Sequence, residues 1–327
     1  MSTLRLTTLY RYGLEALAKR LRQYRKAQSG DIHDREFVHE LRVASRRARA
    51  AFALFEAFLP PDHAAIWRKA LRRVTKQLGA ARDLDVQLVF LETRQQLPPD
   101  ETYPLLFSLS FRLRHQRAQL DRTINETLEE CDPWLSDLER FLRHEIEELP
   151  AVNEEPDVEM LEAVTASMRE AWREVRRCES QAKRRDRAED WHALRIAIKK
   201  YRYILELFKK VFAPDSDEPL AMLKKAQDEL GVHQDASTWI QLLEKEQPRK
   251  VLVGEGLTRL LKEQKSEQAE SLQNFQLLWA EARSSGVWKT WRNALRLRRE
   301  NAARPLLPAM KTELSGPTPM TPASSSI

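Results

Sequence analysis

The chain contains one eighteen-residue pattern twice, and this repeat constrains the fold more than any other feature of the sequence. The two copies read VHELRVASRRARAAFALF in residues 38–55 and WHALRIAIKKYRYILELF in residues 191–208. Both are rich in Ala, Leu, Arg and Lys and lack Gly and Pro, a composition that favours helices. Each copy therefore predicts one amphipathic α-helix, and the pair predicts a tandem duplication.

Each predicted helix carries its basic residues on one side and its apolar residues on the other, since successive residues turn by about 100°. We call the basic sides the first row and the second row. Their members are His39, Arg42, Arg46 and Arg49 in the first, and His192, Arg195, Lys199 and Arg202 in the second. Like charges three or four residues apart destabilise a helix by about 0.2–0.5 kcal/mol per pair. A solvated surface would explain one such row, but two matching rows favour an anion-binding site.

The composition indicates an all-α protein with a localised basic site. Only eight of the 327 residues are Gly, and 55 Lys and Arg residues exceed 49 Asp and Glu residues by a modest margin. This excess favours one basic site over a uniformly cationic surface. The two cysteines, Cys131 and Cys178, are expected to be reduced thiols in a cytoplasmic protein. No apolar run is long enough to span a membrane, and no signal-peptide pattern is present.

The repeat divides the chain into two helical halves. Residues 1–149 are predicted to form a first half of about six helices, and residues 159–304 a second half that follows the same plan. Residues 150–158, which are acidic and contain two prolines, are predicted to link them. Residues 305–327, rich in Pro, Ser and Thr, are predicted to be disordered.

Helix boundaries are predicted at Gly, Pro and Asp residues within each half. Asp34 is expected to cap the first basic helix. Gly79 and Gly231 are expected to end helices, and Asp83 and Asp235 to begin the next ones. A further helix is expected to begin at Pro133 and Trp134. The segment LRRVTKQLGAARD ending at Asp83 aligns with LKKAQDELGVHQD ending at Asp235, which supports the duplication.

These doubled motifs resemble the CHAD domain family. The resemblance lies in HELRVASRRAR and HALRIAIKKYR, each followed by L-G-x-x-x-D, and extends from about residue 5 to residue 300. It implies two pseudo-symmetric helical bundles packed around a central basic channel. It also implies binding of inorganic polyphosphate, association with polyphosphate granules in some members, no cofactor and no established catalysis.

The resemblance also implies which residues bind polyphosphate. They are His39, Arg42, Arg46, Arg47, Arg49, Arg72, Lys76, His192, Arg195, Lys199, Lys200, Arg202 and Lys224. Two positions of the second half depart from the pattern: Asp228 is found opposite Lys76, and Gln234 opposite Arg82. The second half is therefore predicted to bind less strongly on that side.

A metal site is one alternative interpretation of the same helices. Glu36-x-x-His39 and Glu189-x-x-His192 have the Glu-x-x-His spacing that di-iron helical bundles use twice, and the Asp residues at 83 and 235 could add ligands. Against this, Arg42 follows one turn after His39, and a positive charge there opposes a divalent cation. The sequence therefore favours an anion over a metal.

Nucleic acid is the other alternative ligand. Near the carboxyl end, Trp288 and Trp291 are interspersed with basic residues, a mixture typical of proteins that bind single-stranded nucleic acid. The basic residues are Lys289, Arg292, Arg296, Arg298 and Arg299. This segment, 288–299, could also extend an anion path. Neither a P-loop nor an HExxH motif occurs, so no catalytic activity is predicted. Taken together, the sequence predicts a cytoplasmic protein that binds polyphosphate, and it indicates no particular protein partner.

Overall fold

A computed structural model describes residues 2–149, 158–212, 214–246 and 254–303, and helices make up nearly all of these ranges. The α-helices are α1 Ser2–Ala27, α2 Arg35–Phe55, α3 Pro61–Gln95, α4 Tyr103–Glu148, α5 Val158–Arg185, α6 Ala188–Leu207, α7 Lys209–Phe212, α8 Asp217–Glu246, α9 Gly254–Ser284 and α10 Val287–Ala303. A short 3-10 helix, Glu56–Phe58, follows α2. The all-α class is confirmed. The predicted linker, apart from residue 158, and the predicted tail lie outside the described residues.

The two basic helices form where the repeat predicts them. α2 and α6 contain the two copies almost completely. The carboxylate of Asp34 accepts a hydrogen bond from the backbone N–H of Glu36 at 2.9 Å, which confirms the predicted N-cap. In α2 the residues of the apolar face, including Leu41, Ala48 and Phe52, are buried. Packing of this face leaves the first row on the opposite side.

The helix boundaries predicted at two glycines were wrong. α3 continues through Gly79 and Asp83, and α8 continues through Gly231 and Asp235. A glycine inside a helix costs only about 1 kcal/mol relative to alanine. Apolar residues on both sides of the glycines are buried, so packing of one long helix face outweighs that cost. Consequently the two aspartates lie within helices and cap none.

The boundary predicted at Pro133 was also wrong. α4 runs without interruption from Tyr103 to Glu148 with this proline inside it. The buried side chains of Cys131 and Leu135 flank the proline and anchor both sides of the helix in the same core. With α3 and α4 each continuous, residues 2–149 contain four α-helices, where six were predicted.

Three apolar cores hold the helices together. The first, around Leu17, Phe52 and Leu71, joins α1 to α4. The second joins α5 to α10 and includes Phe55 of α2. The third, around Leu88, joins α3 and α4 to α8 and α9. Since the second and third cores take side chains from both halves of the sequence, the halves are packed against each other.

Contacts between α1, α2 and α6 fix the approach of the two basic helices. The ring of Tyr12 stacks on Phe208 with centroids 5.2 Å apart, and its hydroxyl donates to the carbonyl of Leu207 at 2.7 Å. Phe55 meets Phe208 edge to face at 6.2 Å. These contacts place α2 beside α6. Among the helices that the structure describes, none has both the length and the apolar character required to cross a membrane.

Candidate functional site

A cavity of about 1070 Å³, which we call the central cavity, lies between α2 and α6. Side chains of α1, α3, α5 and α8 complete its walls. Eleven arginine and lysine side chains line it, against four carboxylates. The cavity is therefore strongly positive, although the whole chain carries a formal charge of only +6.

Both predicted rows contribute to this one cavity. The predicted residues that line it are Arg42, Arg46, Arg47, Arg49, Arg72, His192, Arg195, Lys199 and Lys200. The duplication predicts that equivalent basic faces meet. In the described residues, side chains of both faces border the same space.

Four predicted residues do not line the central cavity. Lys224 is ten residues before Gln234, where α8 begins to line it, and this corresponds to about 15 Å along the helix axis. Lys76 has an exposed side chain. The guanidinium of Arg202 lies 3.2 Å from the carboxylate of Glu206, and His39 is only half-buried. A role of these four residues in binding stays a prediction.

Three arginines line the cavity without having been predicted as ligands. Arg68 lies one helical turn before Arg72, so extending the helical period by four residues would have found it. Arg82 has Gln234 at the equivalent position of the second half and was not among the residues that the resemblance implied. Arg20 belongs to α1, outside the repeated motif, and only the packing of α1 brings it to the cavity.

Several of these cations are partly buried beside other cations. The Nε atoms of Arg46 and Arg195 are buried and have no hydrogen-bond partner among the described residues. Burial, more than any other cause, lowers the pKa of both guanidinium groups. Burial, together with the neighbouring Arg195 and Arg46, lowers the pKa of Lys199 to about 7. The cavity therefore concentrates positive charge in a partly desolvated space.

Two carboxylates at equivalent positions relieve part of this charge. Asp83 lies 3.7 Å from a terminal nitrogen of Arg42, and Asp235 interacts electrostatically with Arg195. Burial raises the pKa of both carboxyl groups, and the arginines oppose this rise. Asp83 thus forms an ion pair with Arg42, and Asp235 partly offsets the charge of Arg195.

The sequence profile described as the CHAD domain matches residues 15–244, more than half of the chain. The chain belongs to the CHAD family. Members of this family have polyphosphate-related functions. The match includes both rows, Gly79 of α3 and Gly231 of α8.

Two solved structures share this CHAD fold. The crystal structure of the CHAD domain from the plant Ricinus communis matches with a TM-score of 0.63 and 22% identity, over 83% of this chain and 90% of the plant chain. PptA from Streptomyces chartreusis matches with a TM-score of 0.59 and 18% identity, over 84% and 98% of the two chains. No curated protein sequence matches the chain.

In this CHAD protein the two glycines that were predicted to end helices lie beneath arginines of the rows. A Cβ atom added at Gly79 would lie 3.8 Å from Nε of Arg42, and one added at Gly231 would lie 3.6 Å from a terminal nitrogen of Arg195. Both distances are ordinary van der Waals contacts. The positions therefore have room for a methyl group, whereas a longer side chain would displace the arginine.

Gly231→Ala is accordingly expected to raise the free energy of unfolding by about 0.5–1 kcal/mol, because alanine loses less entropy than glycine inside a helix. Urea unfolding followed by circular dichroism measures this change. Gly231→Leu is the matched variant: it should push Arg195 aside and weaken anion binding, whereas the alanine variant should bind like the wild type. Equal binding by the leucine variant would contradict the placement of Arg195.

The two histidines of the CHAD motif have different surroundings. Burial, then the charge of Arg82, lowers the pKa of His39, whose Nδ1 is buried without a partner. Nδ1 of His192 lies 2.8 Å from the side-chain oxygen of Gln234. Gln234, which occupies the position of Arg82 in the second half, therefore contacts the histidine of the second row.

The described residues do not support a metal centre. They contain no group of three or more His, Cys, Asp or Glu side chains placed to bind one ion. In the second half, Glu189 lies 3.8 Å from the guanidinium of Arg187. Both cysteines are buried free thiols: Cys131 lies in the first core and Cys178 in the second.

Proposed function

We propose that this CHAD protein binds inorganic polyphosphate in the central cavity and does not catalyse its turnover. The same ligand would direct the protein to polyphosphate granules. The observation that carries the proposal is the convergence of both rows on one cavity in which arginine nitrogens are buried without partners. Such groups need an anion that can approach many of them at once.

A phosphate polymer has the chemistry that this cavity lacks. Each phosphate oxygen can accept a hydrogen bond from a guanidinium or ammonium group, and a charge-assisted bond contributes about 1.5–3 kcal/mol. The planar fork of arginine suits phosphate oxygens, and arginine supplies nine of the eleven cations of the cavity. Filling the cavity with negative charge would also remove the repulsion between the rows.

The tryptophans that suggested nucleic acid are part of the apolar core. Trp288 packs against Trp172 with ring centroids 4.7 Å apart, and the indole N–H of Trp291 donates to the hydroxyl of Tyr201 at 2.8 Å. Both are almost completely buried, and no described side chain of α10 lines the cavity. Single-strand binding uses exposed rings on which bases stack. These contacts favour polyphosphate over RNA.

The proposal predicts that affinity rises with the number of phosphates until the cavity is filled, because each added phosphate meets further cations. It also predicts a steep loss of affinity with salt, by counterion release. Fluorescence anisotropy with end-labelled polyphosphates of defined length, at several salt concentrations, measures both trends.

A competition with single-stranded RNA of equal charge completes this experiment. Polyphosphate is expected to displace RNA, while excess RNA should leave polyphosphate bound. Equal affinity for short and long polyphosphates at every salt concentration would contradict the cavity model. Displacement of polyphosphate by RNA would support the nucleic-acid alternative.

A further inference from the structure

Tyr203 lines the central cavity at the place where the two rows approach each other. The guanidinium carbon of Arg46, in the first row, lies 5.7 Å from the centroid of the Tyr203 ring. The guanidinium carbon of Arg202, in the second row, lies 5.5 Å from the same centroid. One aromatic ring therefore contacts a cation of each row. The equivalent position of the first copy is Ala50, which also lines the cavity, so the duplication supplies this ring only once.

A ring holds an arginine differently from a carboxylate. Guanidinium groups interact with aromatic rings through the π-electrons, and an arginine stacked on a ring keeps its N–H donors at the edge of its own plane. The carboxylate of Asp83, by contrast, lowers the net charge presented by Arg42. Nε of Arg46 is buried and still lacks a hydrogen-bond partner. The ring of Tyr203 thus orients Arg46 without occupying its donors or cancelling its charge.

The hydroxyl of Tyr203 is itself buried and has no hydrogen-bond partner among the described residues. The hydroxyl of Tyr12, on the neighbouring helix, donates to the carbonyl of Leu207. Tyr24 also lacks a partner, but it lies in the first core and not at the cavity. An unpaired buried hydroxyl is unfavourable unless a ligand completes it. Tyr203, unlike Tyr24, lines the cavity in which a ligand would lie.

We propose that Tyr203 is a ligand-binding residue of the cavity: its hydroxyl donates a hydrogen bond to a phosphate oxygen while its ring holds Arg46 against a neighbouring oxygen. This inference rests on the proposed function and adds one specific hydrogen bond to it. The basic side chains attract a phosphate chain wherever it lies. The hydroxyl, which is neutral and directional, binds one oxygen at one place between the rows.

Salt dependence separates the hydroxyl from the cations. A neutral hydrogen bond releases no counterion, whereas each arginine–phosphate contact does. Tyr203→Phe retains the ring and removes only the hydroxyl. It should weaken polyphosphate binding about tenfold, as expected for a lost hydrogen bond to a charged group, and by the same factor at every salt concentration. Tyr203→Ala, which places the residue of the first copy at this position, should weaken binding further because Arg46 also loses the ring.

The experiment compares the wild type, Tyr203→Phe, Tyr203→Ala and the control Tyr12→Phe. Each is titrated with one long polyphosphate from low to high salt, and folding is followed by circular dichroism and urea unfolding. Tyr12→Phe should bind polyphosphate like the wild type and should be less stable to urea. Tyr203→Phe should bind polyphosphate more weakly and should be no less stable than the wild type.

The outcomes distinguish this inference from the proposed function. If the wild type fails to bind polyphosphate, the proposed function fails. If the wild type binds and Tyr203→Phe binds equally well, the proposed function stands and the role of the hydroxyl is overturned. A loss in Tyr203→Phe that changes the salt dependence also overturns it, because displaced arginines would then be the cause.

Discussion

Reversing one charge in each row, with Arg46→Glu and Lys199→Glu in one chain, is expected to abolish polyphosphate binding and leave the helical content unchanged. The two residues occupy equivalent positions of the repeat, and both line the central cavity. Each reversal removes a charge-assisted contact of about 1.5–3 kcal/mol and adds repulsion toward phosphate. The expected loss of affinity therefore exceeds about a hundredfold. Anisotropy with labelled polyphosphate measures the affinity, and far-ultraviolet circular dichroism measures the helicity.

The matched control reverses an arginine and a lysine outside the cavity, with Arg143→Glu and Lys225→Glu. Both side chains are exposed, and neither lines the cavity. The control has the same total charge as the cavity variant, but distant charges are screened within about 8 Å at physiological salt. It should therefore bind with little loss. If the two variants bind equally poorly, total charge and not the cavity governs binding. If the cavity variant loses its helices, the rows are structural.

The basic helices could be predicted because their signal is local. The period of charged and apolar residues in each copy depends only on helix geometry, and Asp34 acts on the backbone two residues away. The second copy adds evidence that one helix cannot give. A single basic row is explained by a solvated surface, whereas two matching rows favour a binding site. These short-range features indicated the fold class and, together with the family resemblance, eight of the eleven arginine and lysine residues of the cavity.

The remaining features depend on which helix faces meet in three dimensions. Gly79 and Gly231 have the sequence character of helix ends, but each lies under an arginine of a neighbouring helix. Pro133 remains inside α4 because residues on both sides of it are anchored in one core. Arg20 reaches the cavity through the packing of α1, while Lys224 lies too early in α8. Sequence spacing within one helix contains none of this information.

Polyphosphate affinity is expected to fall as the pH rises above 7, because Lys199 must carry a proton to contribute. In the free protein its pKa is about 7, since the ammonium is buried and surrounded by Arg195, Arg46, Arg42 and Arg202. A bound polyanion opposes these charges and raises the pKa again. Binding then takes up one proton, and the affinity falls by up to about tenfold per pH unit until the pKa of the complex is reached.

Several other groups also have pKa values shifted from the ordinary ones. Burial raises the pKa of Asp83 and Asp235, and the neighbouring arginines oppose this rise. The pKa of His39 is lowered from 6.5, which places its titration below pH 7. Burial raises the pKa of Cys131 and Cys178 above the ordinary thiol value of 9.0. The contribution of Lys199 between pH 7 and 9 is therefore isolated by a substitution at that position.

Lys199→Arg is the decisive variant, because arginine is the residue at the equivalent position of the first copy and stays charged throughout this range. Its affinity should be independent of pH between 7 and 9. Calorimetry in buffers of different ionisation enthalpy should detect proton uptake by the wild type at pH 8 and none by the variant. A wild-type affinity that is flat over this range would contradict the lowered pKa.

The stability of the free protein should change in the opposite direction to its affinity. In the unfolded chain the lysine keeps its ordinary pKa of 10.5, so between about pH 7 and 10.5 the unfolded state holds a proton that the folded state has released. Stability then rises with pH in the wild type. Lys199→Arg should lack this rise, because the guanidinium remains charged in both states. Urea unfolding at pH 7 and pH 9 measures the difference. If affinity falls and stability rises with pH in the wild type, and Lys199→Arg removes both trends, the titrating group is Lys199. Its charged form is then destabilised by folding and stabilised by the bound polyanion.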